Sequence, residues 1–136
     1  MARVMALDIG DKRVGIALSD PMKIIANPFD TLNRVEIKGD VRKIVEMIKQ
    51  NDVDTVVCGL PKALNNTESL QTQKAKEFGE LLAANTDAKV VFFDERLTTA
   101  QAERVLLEGN VRRDKRKTVI DKLAATVILD AYLRTL

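Results

Sequence analysis

The sequence predicts an α/β domain built on a mixed sheet. Three observations carry this. Two short apolar runs flank a polar, glycine-containing turn at the start of the chain, the pattern of an antiparallel hairpin. From residue 37 the apolar spacing changes from the strand period to the helix period. Runs rich in β-branched residues at 53–58 and 89–93 then alternate with helical segments, the arrangement that gives parallel strands.

Taken in order, 3–9 is a short apolar strand ending at Asp8-Ile9-Gly10, and Asp11-Lys12-Arg13 is the turn. Residues 14–19 return as the second strand, which Asp20-Pro21 ends. Residues 24–32 predict a third strand, interrupted or edged at Pro28 because proline cannot donate to a ladder. Val41, Ile44, Val45 and Ile48 recur at i, i+3, i+4 and i+7, which predicts an amphipathic helix over 37–51. The strand at 53–58 ends at Gly59-Leu60-Pro61, and a polar loop fills 62–69. Ala75, Phe78 and Leu82 mark a second helix, and 89–93 a buried strand stopping at Asp94-Glu95-Arg96. Thr98 and Gln101 have capping-box spacing, so a helix is expected from there to Gly109-Asn110. A charge run at 112–117 precedes a last helix expected to turn Ile120, Leu123, Ala124, Val127, Ile128 and Ala131 inward. The expected order is β-β-β-α-β-α-β-α-α in a single domain spanning 1–136, with no repeat or linker.

Composition removes several kinds of chemistry. The chain has 136 residues, no His and one Cys, so imidazole-based catalysis, an imidazole zinc site and an internal disulfide are excluded. Acid–base or metal chemistry must rest on carboxylates, Lys or Tyr132. No apolar run approaches the ~20 residues of a membrane span, and the segment after Met1 lacks the apolar stretch of a signal peptide. A cytoplasmic protein without a membrane partner is expected.

Sites in open α/β sheets gather at the carboxyl ends of strands. Here three strands end in Asp8-x-Gly10, Gly59-Leu60-Pro61 and Asp94-Glu95-Arg96. Each is also an ordinary turn or solvated rim, and only their coincidence at one edge suggests a site. Asp121 is less ordinary, because its helical neighbours Ala124, Ala125, Ile128 and Tyr132 form a small, apolar strip. A carboxylate there needs a cation, a metal or a proton, or it pairs with Lys117 on the helix flank. The small Ala124 and Ala125 allow the helix to approach the sheet closely. Separated carboxylates without His or Cys suit an oxygen-ligand site for Mg²⁺ or Mn²⁺, and such ions activate water against phosphodiesters. Arg112, Arg113, Lys115, Arg116 and Lys117, opposed only by Asp114, form either a solvated loop or a phosphate-binding surface. Lys12, Arg13 and the helix start at Thr98-Thr99 are further phosphate candidates.

These blocks together resemble the YqgF, or RuvX-like, family: Leu7-Asp8-Ile9-Gly10; 13–20, read as Arg-Val-Gly-Ile-Ala-Leu-Ser-Asp; Gly59-Leu60-Pro61; Asp94-Glu95-Arg96-Leu97-Thr98-Thr99; and Lys117 followed by Asp121-Lys122-Leu123-Ala124-Ala125. That family is described as candidate Holliday junction resolvases and as pre-16S rRNA processing nucleases. The resemblance spans essentially the whole chain. It implies an RNase H-like fold: a five-stranded mixed sheet, three antiparallel strands then parallel ones, flanked by helices on both faces. It also implies metal-dependent endonuclease activity on structured RNA or branched DNA. Asp8 and Asp121 then match two acids of the metal site, and the third is Asp94 or Glu95. Arg96 joins the phosphate contacts. Resolvases resembling RuvC carry an acid where this chain has Gly59-Leu60-Pro61, so the site must be completed from the next strand. Symmetric cuts in a branched DNA need a homodimer, whereas a monomer suffices for an RNA end.

Two other readings use the same residues. Asp-x-Gly in a strand–turn–strand unit also cradles phosphate in actin-like and sugar-kinase-like nucleotide-binding proteins, which place nucleotide between two such domains. A non-catalytic nucleic-acid-binding module would keep the basic run without requiring Asp121. The net charge of +2 does not weigh against nucleic acid. The run at 112–117 sums to +4, which leaves −2 for the other 130 residues. Phosphate contacts depend on such local charge and weaken as salt rises.

Overall fold

The computed structural model describes residues 2–60, 70–94 and 113–136, with side chains throughout except at 71, 94 and 113–122. Strands β1 (Arg3–Ile9) and β2 (Arg13–Ser19) pair antiparallel across a short turn, and both are buried along most of their length. The turn between them closes through a Gly10 N–H bond to the Arg13 carbonyl at 2.9 Å. A Cβ at Gly10 would lie 2.8 Å from that same carbonyl oxygen, so the turn requires glycine. Strand β3 (Ala26–Asn33) pairs antiparallel with β2. It begins later than the sequence suggests, because Asp20 Oδ1 takes the N–H groups of Ile24 and Ile25 into a turn, each at 2.8 Å. Pro28 sits on this edge strand, where the register shifts between Ile16 and Ala17.

The helix α1 (Ile37–Gln50) buries Val41, Ile44 and Ile48 as its spacing predicts, and also buries Asp40. Strands β4 (Val53–Leu60) and β5 (Lys89–Asp94) pair parallel, and β4 pairs parallel with β1. The sheet order is β3-β2-β1-β4-β5. Gly59 and Leu60 are strand residues rather than a turn, because Phe93 and Asp94 hold them in the ladder. The helix α2 (Leu70–Asn85) buries Ala75, Phe78 and Leu82. The polar loop at 62–69 and the helix expected from Thr98 lie outside the described residues.

Helix α3 (Arg113–Leu133) corrects two expectations. The charge run is not a loop ahead of the helix, since 113–117 form its first turns. Among its described side chains Ala124, Ala125, Ile128, Leu129 and Leu133 are buried, whereas Leu123, Val127 and Ala131 are only partly covered, and Ile120 lies outside the described side chains. The apolar stripe that meets the sheet is therefore the one on which Asp121 falls by spacing.

Two apolar layers enclose the sheet, as expected of helices on both faces. Met5, Leu7, Ile9, Val56, Cys58 and Leu60 pack towards α1 and α2. Val4, Ala6, Ala17 and Val57 pack towards α3, with Val91 and Phe93 at the border. Burying one large side chain such as Ile44 or Phe78 contributes about 1.5–3 kcal/mol. The α3 side is lined by small residues: Ala6 lies opposite Ala17, and both face a helix whose Ala124 and Ala125 are wholly buried.

Candidate active site

Asp8 is half-buried near the carboxyl end of β1. Neighbouring residues of a strand point to opposite faces. Leu7 and Ile9 belong to the α1–α2 layer and Ala6 to the α3 layer, so Asp8 lies on the α3 face. Its partner across the hairpin is Gly15. Leu7 pairs with Cys58 on the other side, so the next residue, Gly59, flanks Asp8 there. Gly59 pairs in turn with Phe93, and Gly15 with Thr31. One row across the sheet thus reads Phe93, Gly59, Asp8, Gly15, Thr31. The carboxylate stands between two glycines, so no side chain lies directly opposite it on either neighbouring strand.

Asp94 ends β5 opposite Leu60, at the same carboxyl edge. Its backbone is two strand spacings from β1, roughly 10 Å. The side chain of Phe93 belongs to the α3 layer, and its ring meets Tyr132 edge-on at 6.3 Å. Asp121 is one helical turn before Ala125 in the helix that covers this face. Arg113, Lys115, Arg116 and Lys117 lie in the first turns of the same helix. Lys12 is exposed in the hairpin turn, and Arg13 shares the face of Gly15 and Ala17. Glu95, Arg96, Thr98 and Arg112 lie outside the described residues. Among the described side chains no group of three or more metal-ligating residues occurs; those of Asp94 and Asp121 are not in that set.

The lone thiol takes no part. Cys58 faces the α1–α2 layer, and burial pushes its pKa up to about 12. A protonated, buried thiol is neither nucleophile nor metal ligand. The donors left for a cation are oxygens, which fit Mg²⁺ or Mn²⁺. Asp20, at the opposite end of the sheet, is a turn former whose pKa is lowered by the N–H groups of Ile25 and Ile24.

Residues 2–135 match the RuvX family, described as Holliday junction resolvase. The chain belongs to that family. A relative from Clostridium acetobutylicum, named "Putative pre-16S rRNA nuclease", is 40% identical over 134 residues, covering 98% of this chain and 99% of its own. A relative of the same name from Caldanaerobacter subterraneus subsp. tengcongensis is 50% identical over 132 residues, covering 96% and 95%. Among solved structures, T. thermophilus RuvC in complex with a Holliday junction substrate superposes with a TM-score of 0.64 at 14% identity, over 99% of this chain and 96% of that one. The fowlpox virus resolvase with Holliday junction DNA gives 0.61 at 14% identity, over 98% and 97%. These likenesses bear on the fold, which is the RNase H-like one that the resemblance implied.

The row of Asp8 between Gly15 and Gly59 was not legible from the sequence. Gly59-Leu60-Pro61 reads as a turn until strand register places Gly59 beside the acid. The pairing of β1 with β4, strands separated in the chain by β2, β3 and α1, is the signal that finds it.

Proposed function

We propose that this RuvX-family chain is a metal-dependent nuclease that hydrolyses phosphodiesters of structured nucleic acid. The observation that carries the reading is the position of Asp8 between Gly15 and Gly59, on the face covered by the helix bearing Asp121. A carboxylate on an uncrowded patch of sheet, facing a second acid's helix, is poorly explained as a stability device. It suits a site that must admit a hydrated cation and a phosphate.

In this reading Asp8 and Asp121 hold the cation together with one acid at the end of β5. The third ligand is Asp94, which ends β5, or Glu95, the next residue in the chain. A bound Mg²⁺ or Mn²⁺ supplies charge neutralisation at the phosphoryl oxygens and an acidified water. Lys12, Arg13, Arg96, Thr98 and the cations at 112–117 hold the backbone phosphates, which position a nucleic acid without reading its sequence. Placing Arg113, Lys115, Arg116 and Lys117 in the helix of Asp121 couples phosphate binding to the position of that acid.

The substrate assigned is the precursor end of 16S rRNA, because whole-length relatives at 40% and 50% identity carry that name. A cytoplasmic location follows from such a substrate, and a monomer suffices for it. The test is cleavage of a precursor 16S 5′-end RNA and of a four-way DNA junction, each with Mg²⁺, Mn²⁺ or a chelator. Metal-dependent cleavage of the RNA supports the proposal. Preference for the junction moves the substrate to branched DNA and requires a dimer. Binding without cleavage of either makes the chain a binding module.

A further inference from the structure

A second group of charged residues lies directly behind the Asp8 hairpin, on the opposite face of the sheet. Arg34 follows the end of β3, and Asp40 lies in the first turns of α1. Arg34 Nε donates to Asp40 Oδ2 at 3.2 Å, and the Asp40 carboxylate is 1% exposed. Asp40 Oδ1 accepts the Val35 N–H at 3.1 Å, so both carboxylate oxygens are engaged. Arg34 Nη1 donates to the Gly10 carbonyl at 3.0 Å, and the Arg34 N–H donates to the Lys12 carbonyl at 2.9 Å. The guanidinium also lies 5.3 Å from the centre of the Phe78 ring in α2. One arginine thus grips both sides of the turn that follows Asp8, and Asp40 and Phe78 fix that arginine.

A buried ion pair is an expensive way to stabilise a fold, since a well-packed apolar pair of similar size often does as well. The pair here does what an apolar pair cannot, because it supplies directional bonds to Gly10 and Lys12. Those two residues lie in the turn that links Asp8 to Lys12 and Arg13, the acid to the cations of the proposed site. A forked guanidinium suits this task, with rigid donors in fixed directions. We infer that Arg34 and Asp40 are a positioning pair: they hold the Gly10–Arg13 turn, and through it set the Asp8 carboxylate and the Lys12 and Arg13 cations relative to one another. The inference rests on the nuclease reading only for what that placement serves.

Two variants test it. Arg34→Lys keeps the charge and the backbone bond to Lys12 but lacks the second donor that reaches Gly10. Asp40→Asn keeps the shape and the oxygen that accepts from Val35. Both should lower turnover by about tenfold or more, the scale of loss for small misplacements in a site. Both should raise the Mn²⁺ concentration giving half-maximal rate several-fold, and raise KM for the RNA as Lys12 and Arg13 shift. Hydrogen exchange at the Gly10 amide should accelerate by about tenfold while core amides such as that of Ile44 stay protected, which loss of global stability would not produce. Unchanged Gly10 exchange in both variants overturns the inference. So does a turnover loss that merely follows the fraction folded. Should the parent cleave nothing under any metal, the exchange measurement still decides the clamp, and only the nuclease reading falls.

Discussion

Asp8 lies directly opposite Gly15 across the β1–β2 pair. Opposed Cβ atoms in such a pair are separated by only ~4.5–5.5 Å, so any side chain at position 15 would stand against the carboxylate. Gly15→Ala, and Gly59→Ala on the other flank, are expected to reduce nucleic-acid cleavage by about tenfold or more through displacement of Asp8 or its cation. Strands tolerate Ala poorly but no worse than Gly, so thermal midpoints should change by only a few degrees. Cleavage rates measured beside melting curves separate the two effects.

The third acid can be settled by comparison. Asp94 ends β5 and Glu95 follows it in the chain, so the two acids are one residue apart. Of Glu95→Gln and Asp94→Asn, one is expected to abolish metal-dependent cleavage and the other to retain most of it. Single-turnover rates at saturating Mn²⁺ identify the ligand, and full activity in both variants would contradict a third acid at this edge.

A packing prediction concerns Gly79 in α2. A Cβ there would lie 2.5 Å from Phe92 Cε1 and 3.4 Å from Cys58 Sγ. Phe92 is 40% exposed, so its ring can yield, though only by leaving its contacts. Gly79→Ala alone should destabilise by about 1 kcal/mol, the overpacking loss exceeding the helix-propensity gain. In a Phe92→Ala background the same change should stabilise by about 0.5–1 kcal/mol. Denaturant melts of the four proteins form the cycle.

Acid stability offers an independent check on the fold away from the site. The Asp20 carboxylate accepts the N–H groups of Ile25 and Ile24, which holds its pKa below the ordinary 3.8. A depressed carboxylate contributes stability that is present above the ordinary value and lost as pH falls through the folded-state value. Asp20→Ala should thus melt lower than the parent near neutral pH, and the gap should narrow as pH falls below the ordinary value of 3.8. Thermal midpoints across that range test the sign.

How much of this was legible in the sequence differs by element. Helix α1 followed from its period, because it has one side to hide, and the hairpin and parallel strands from short apolar runs ended by turn residues, because both faces of the sheet are covered. Strand β5 concealed its facing, because Val90 and Phe92 go one way and Val91 and Phe93 the other, and all four are apolar. The start of α3 was misread for a related reason: Arg113, Lys115, Arg116 and Lys117 have good helix propensity, yet a run of cations looks like a loop. Asp121 stood out because an acid on an alanine strip violates the helix pattern. Arg34 and Asp40 did not, because in a chain with 22 basic and 20 acidic residues two more charges look like surface. Only the packing of β3, α1 and the Gly10 turn brings them together, six residues apart in sequence and 3.2 Å apart in space.

The most direct measurement is single-turnover cleavage of a precursor 16S 5′-end RNA with Mg²⁺ or Mn²⁺ by the parent, Asp8→Asn and Asp121→Asn. Both variants should fold and bind the RNA within a few-fold of the parent, yet cleave at least ~100-fold more slowly, the order of loss when one charge-stabilising group leaves a preorganised site. Cleavage by either variant at the parent's rate would contradict the assignment of these two acids to a common metal site.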